Sequence, residues 1–167
     1  MRVATAIIWV LDTSSIIEIR RSVAVDKRSA LFAGLSSLVA ADRILFPKQV
    51  VDELERAVDP NAPDAQYLWA RQHADKANAQ DPSLQEVKEV LAVVPEVLDP
   101  DKDAGVEEAD PYLLAVAERL RNDGKDARVV TQETKDTPRK MSLNTACGLL
   151  GIPSVPLAAF LQFEKLR

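Results

Sequence analysis

The sequence predicts a three-layer α/β/α domain with a central parallel sheet. Three observations carry that prediction. Short apolar runs recur at Thr5–Leu11, Ile44–Phe46 and Arg128–Thr131, and each reads as a strand buried on both faces. Stretches with helical periodicity separate these runs, and strands alternating with helices build parallel sheets. The 167 residues, 47% hydrophobic and 28% charged, suit one soluble domain with a real core.

The first strand, Thr5–Leu11, ends abruptly at Asp12-Thr13-Ser14. Ser15 and Glu18 form a candidate capping box for a helix over Ser15–Arg21. A second helix is expected over Val25–Ala40. Ile44-Leu45-Phe46 is a short strand, and Pro47 suits the first turn of a helix reaching about Val58. Asp59-Pro60-Asn61-Ala62-Pro63 breaks the chain. Helices over Asp64–Ala79 and Ser83–Leu91 follow, so residues 59–95 read as a helical insertion within a single domain spanning 1–167. Val93–Leu98 reads as a strand interrupted by Pro95. An acidic loop, Asp99–Asp110, leads into a helix over Pro111–Asn122. The strand Arg128–Thr131 comes next, then a helix over Met141–Leu150 stopped by Gly151. Ser154-Val155 is the last strand, and Leu157–Leu166 the terminal helix.

Composition narrows the chemistry. The net charge of −5 argues against a general nucleic-acid-coating protein, although bound metal ions could supply local positive charge. A single cysteine, Cys147, leaves no internal disulfide and no cysteine-rich zinc site, which points to a reducing, cytoplasmic setting. A single histidine, His73, makes a Ser/His triad improbable. The apolar run near the N-terminus is short and lacks a cleavage signature, so it is read as a strand and not a signal peptide. No segment approaches the length of a membrane span, so no membrane association is expected.

What remains is acidic. Asp12 closes the first strand, at the sheet edge where open α/β sheets place their chemistry. Its bland alternative is a helix cap. In Val50-Val51-Asp52-Glu53-Leu54-Glu55 the apolar stripe leaves Asp52 opposite the core, with Glu53 and Glu55 on its borders. Asp110 precedes Pro111 and reads as an N-cap facing the inward side of its helix. Glu133 lies just past the strand ending at Thr131, with Asp136 as its rival. Four carboxylates meeting at one edge would repel each other unless a divalent cation neutralised them. Hard oxygen donors select Mg²⁺ or Mn²⁺, and such ions serve phosphoester hydrolysis.

Two further features have structural readings. Asp99-Pro100-Asp101-Lys102-Asp103-Ala104-Gly105 is a poor calcium loop, because its glycine falls one position late. A solvated acidic loop is the favoured reading. Trp69 and His73, one helical turn apart, and nearby Tyr67 are assigned to packing in preference to base stacking.

Taken together, Val10-Leu11-Asp12-Thr13-Ser14, Val50-Val51-Asp52-Glu53-Leu54, Ala109-Asp110-Pro111-Tyr112-Leu113-Leu114-Ala115-Val116-Ala117 and Val129-Val130-Thr131-Gln132-Glu133 resemble the PIN-domain ribonucleases. Within them the chain resembles a longer subgroup of the VapC-like toxins of prokaryotic toxin–antitoxin pairs. The resemblance implies a PIN-like fold and a metal-dependent endoribonuclease acting on single-stranded RNA. It implies that Asp12, Glu53 and Asp110 hold Mg²⁺ or Mn²⁺, with Glu133 nearest the usual place of the fourth acid. It gives Ser14 a supporting role at the metal site or the scissile phosphate, and Cys147 a packing role. A small antitoxin protein is the implied partner, and a homodimer stays open. Among the cations that could hold RNA (Arg20, Arg21, Lys48, Lys135, Arg139 and Lys140), Arg139 and Lys140 rank first because they border the Glu133 loop. The rival readings are a haloacid-dehalogenase-like phosphatase, which wants an acid where Ser14 stands, and a non-enzymatic metal-binding regulatory module.

Overall fold

A computed structural model describes residues 4–102 and 105–166. Its centre is a sheet of four strands, β1 (Ile8–Leu11), β2 (Ile44–Leu45), β3 (Ala127–Val130) and β4 (Ser154–Val155), in the order β2-β1-β3-β4. Every pairing is parallel, with Val10 beside Leu45 on one side and Val129 on the other. Parallel neighbours need crossovers, and helices supply them. Trp9 and Val10 point to opposite faces of β1, yet neither is exposed, so helices cover both faces of the sheet. The three-layer α/β/α architecture expected from the alternating pattern is therefore present.

The chain leaves β1 toward β2 on one flank and later adds β3 on the other. This reversal makes the β1/β3 boundary a topological switch point, where a crevice opens beyond the carboxyl ends of the strands. Asp12 follows β1 and Thr131 follows β3, so both stand at that crevice.

Between β1 and β2 run α1 (Thr13–Ser22) and α2 (Val25–Ala40), the latter with the expected bounds. The capping box expected from Ser15 and Glu18 does not form. The strand ends at Leu11 and the helix starts at once, so Ser15 already lies within the first turn and donates to the Asp12 carbonyl oxygen at 2.7 Å. Glu18 accepts instead from Ser22.

After β2, α3 (Lys48–Ala57) begins behind Pro47. The chain then forms α4 (Ala65–Gln72), α5 (Ala74–Ala77) and α6 (Leu84–Val93). The single helix expected over Asp64–Ala79 is thus broken at His73. The His73 ring and the Trp69 indole N–H both meet the Ser36 hydroxyl, and Trp69 packs on Phe32 and Phe46. Those contacts, around a buried Trp69, fit the packing role assigned to the pair. Ser83 and Glu86 form a genuine capping box at the start of α6. The strand expected over Val93–Leu98 is absent. The helix runs on to Val93, and Pro95 opens a single 3-10 turn, Pro95–Val97, having no N–H to give a sheet ladder.

The later elements are α7 (Ala109–Asn122), α8 (Leu143–Leu150) and α9 (Leu157–Phe163). Gly151 ends α8 in the left-handed conformation at φ 70°. At the opposite end of the sheet from the crevice, Trp9 donates to Glu164 at 2.6 Å, and Arg43 forks onto the same carboxylate. These bonds fasten the chain after α9 to β1 and β2. One continuous hydrophobic cluster, from Ile7 to Leu161, joins all layers. No helix among the described residues is long and apolar enough to cross a membrane.

Candidate active site at the switch point

Asp12 is 2% exposed at the end of β1. Its side chain makes no capping bond to α1, which sets aside the bland reading of this residue. Oδ2 instead accepts from two hydroxyls, Ser14 at 2.7 Å and Thr131 at 2.8 Å. The same hydroxyl oxygens receive backbone N–H groups, Gln132 onto Ser14 and Glu133 onto Thr131, each at 3.0 Å. A short network therefore ties the ends of β1 and β3 around one carboxylate. Burial, reinforced by the charge of Glu133, pushes the Asp12 carboxyl up to about 6, against the pull of the Ser14 and Thr131 hydroxyls.

Asp110 is 5% exposed in the first turn of α7. The helix starts two residues earlier than the Asp-Pro pair suggests, so Glu108 and not Asp110 stands at the N-cap. Asp110 is thereby free to face the crevice. Burial first, then the charges of Asp12 and Glu133, raise its carboxyl well above the usual range. Glu133 lies beyond β3 and accepts from the Leu143 N–H at the start of α8 at 3.3 Å. Its rival Asp136 accepts from the Ser142 N–H and the Thr145 hydroxyl, which consumes it in capping α8. Of the two, Glu133 is the acid whose charge acts on Asp12 and Asp110.

Glu53 behaves differently. Its Oε2 accepts from the Thr13 hydroxyl at 2.6 Å and its Oε1 from the Ala109 N–H at 2.8 Å. Both oxygens are committed to protein donors, and they strap α3 to the starts of α1 and α7. The sequence places Glu53 with the other acids, and the fold does bring it there, but turned toward the backbone.

The ammonium of Lys140 completes the centre. It lies 2.8 Å from Asp110 Oδ2 and 3.7 Å from Glu133 Oε1. Burial works against its charge, yet Asp110 and then Glu133 overcome that and hold Lys140 above the usual lysine range. Arg139, ranked beside Lys140, does not join the cluster. It pairs with Asp99 and Asp101 at 3.0 Å, on the outer acidic loop. Asp103 and Ala104 of that loop lie outside the described residues. Arg21 pairs with Glu18 and Lys48 with Asp52. Lys135 borders an open cavity of about 350 Å³ that Glu133, Thr134, Thr137 and Lys140 also line.

The four acids do not close on one point. Among the described residues, no three His, Cys, Asp or Glu side chains stand close enough to hold one metal ion. The physical reason is visible in the contacts: Lys140 takes the place between Asp110 and Glu133, and Glu53 is turned to Thr13 and Ala109. The donor set nevertheless suits a hard cation, because it offers carboxylate oxygens and a stand-in positive charge already seated among them. Thr13 and Thr131 were not singled out as functional in the sequence. Their only signal was position, a hydroxyl residue directly after or near a strand-end acid.

Cys147, on α8, is fully buried beneath this centre. Burial, with smaller contributions from Asp12 and Asp110, pushes its thiol up to about 12. Iodoacetamide at pH 8 is expected to label the native protein at least about a hundredfold more slowly than the urea-unfolded chain. Equal rates would show a thiol open to solvent.

No curated protein matches the chain significantly. A family model does, and it begins at Trp9 inside β1, so it takes in Asp12, Glu53, Asp110, Glu133 and Lys140 alike. Its description is a domain of unknown function, DUF4411, and because it matches residues 9–167 the chain belongs to that family.

Proposed function

We propose that this protein is a divalent-metal-dependent endoribonuclease that cleaves single-stranded RNA, and that it is the toxin of a toxin–antitoxin pair working in the cytoplasm. The observation that carries the reading is the placement of Asp12, Asp110 and Glu133 around the switch-point crevice with one lysine as their counter-charge. Asp12, Asp110 and Glu133, which do not close on one point in this structure, would draw together to hold Mg²⁺ or Mn²⁺, and Glu53 holds the start of α7 in place. The ion would supply an acidified water and charge neutralisation at the phosphate. Ser14 and Thr131 fix the orientation of Asp12 by donating to a single oxygen, which leaves Oδ1 without a hydrogen bond among the described residues. Lys140 and Lys135 offer positive charge to the RNA backbone beside an otherwise acidic centre. Ser14 stands where a dehalogenase-like phosphatase would need its second acid, and its hydroxyl is spent on Asp12.

The test is an end-labelled single-stranded RNA incubated with the purified protein. Cleavage is expected with Mg²⁺ or Mn²⁺ and is expected to vanish in excess EDTA. Undiminished cleavage in chelator overturns the metal dependence. Tight Mn²⁺ binding without any cleavage would instead identify a regulatory metal-binding module. The toxin assignment predicts arrested growth on expression of the protein alone, relieved by a small co-expressed partner. Harmless expression of an active preparation would remove that assignment.

A further inference from the structure

We propose that Lys140 is a tethered counter-cation that occupies the ion position between Asp110 and Glu133 and moves into the adjoining cavity when a divalent ion binds, there to contact a substrate phosphate. The inference rests on the metal-dependent reading above and assigns this lysine two successive places.

The first place is the observed one. The ammonium sits at hydrogen-bond distance from a 5% exposed carboxylate and within ion-pair distance of a second. The adjacent Arg139 does not share this place, since it pairs with Asp99 and Asp101. A divalent ion ligated by Asp110 would stand only about 2.1 Å from its oxygen. An ammonium on that same oxygen would then face the ion at close range in a buried setting, where like charges repel strongly. Ion and ammonium are therefore mutually exclusive occupants.

The second place follows from what is fixed and what is not. The Lys140 backbone is pinned, with its N–H donating to the Thr137 hydroxyl at 3.2 Å and its carbonyl accepting from the Thr137 N–H at 3.0 Å. The four-carbon stem is not pinned, and lysine carries its charge on several rotatable bonds. Lys140 already borders the cavity of about 350 Å³, whose other lining groups include Lys135, Thr134 and Thr137. Two ammonium groups and two hydroxyls suit a phosphodiester, and the cavity also touches Glu133, so a phosphate there would lie beside the ion.

The two roles predict opposite effects of one substitution. Lys140→Met, which keeps the stem and removes the charge, should bind Mn²⁺ about tenfold more tightly than the wild type in isothermal titration. The same variant should cleave RNA about a hundredfold more slowly at saturating Mn²⁺. Lys140→Arg, which keeps a charge and guards against a folding defect in the methionine variant, should bind Mn²⁺ within about threefold of wild type. Equal or weaker Mn²⁺ binding by a folded Lys140→Met, with the wild type still binding and cleaving, overturns the counter-cation role alone. Tighter binding with undiminished cleavage overturns the phosphate contact. Absence of Mn²⁺ binding by the wild type overturns the metal-dependent function itself and this inference with it.

Discussion

Asp12→Asn is expected to lower metal-dependent RNA cleavage by on the order of a thousandfold without weakening the metal-free fold. The carboxylate is 2% exposed and faces the charges of Glu133 and Glu53, so ionised Asp12 is an electrostatic burden on the protein. Asparagine keeps an oxygen for the Ser14 and Thr131 hydroxyls and removes the charge. Melting of the metal-free variant should therefore match the wild type or rise slightly. A free ion at a hundredfold its dissociation constant should stabilise the wild type by about 2.7 kcal/mol, and the variant should lose most of that gain.

The pH dependence has a definite sign. The folded Asp12 carboxyl titrates near 6, above the value of 3.8 expected for an unfolded aspartate. The native state therefore keeps a proton that the unfolded chain releases between these values. The Asp12 contribution to metal-free stability should be fully present below about pH 4 and be lost as pH rises through about 6. Asp12→Asn should lack this component of the decline. An active but destabilised Asp12→Asn protein, melting lower with and without Mn²⁺, would return Asp12 to a merely structural role.

The parts of the fold legible in the sequence are those fixed by local pattern. The buried strands around Asp12 and Thr131 announced themselves as apolar runs, and α2 by periodicity. The failures lie elsewhere. Over Val93–Leu98 the apolar content suggests a strand, but the segment carries its own counter-signal, because Pro95 has no N–H for a sheet ladder. Residues 64–79 divide at His73, whose ring meets Ser36 on α2, a contact that no local pattern encodes. The site divides the same way. The place of Asp12 at the crevice was legible because it closes an apolar run at a strand's carboxyl end. Lys140 was reached only through its neighbourhood to Glu133, and adjacent Arg139 looked equivalent. Their separation depends on Asp99 and Asp101, forty and thirty-eight positions upstream, which claim Arg139 and leave Lys140 to Asp110. Thr131 and Thr13 act through hydrogen bonds across the fold, to Asp12 and Glu53, which no periodicity encodes.

Glu53 is where pattern and geometry part, and its substitutions should separate holding from ligation. Glu53→Ala would leave the Ala109 N–H, on a fully buried residue, and the Thr13 hydroxyl without acceptors. A loss of about 2 kcal/mol is expected from the abandoned donors, read as a lower urea midpoint with unchanged slope. Asp110 is the next residue along α7, so loosening Ala109 displaces a carboxylate of the centre, and cleavage should fall about a hundredfold. Glu53→Gln gives the decisive contrast. Its amide oxygen can still accept from Ala109, and the Thr13 hydroxyl can turn to accept from the amide N–H₂. Stability should then return to within about 1 kcal/mol of wild type, because the donors on α1 and α7 are again paired. If Glu53 only positions Asp110, the glutamine variant keeps most of the Mn²⁺-induced rise in melting temperature. If Glu53 turns from Thr13 and Ala109 to ligate the ion, a stable Glu53→Gln loses that rise as fully as Asp12→Asn does. The two bonds at 2.6 and 2.8 Å favour the first result, since ligation would require both to break and would strand a buried N–H at the start of α7.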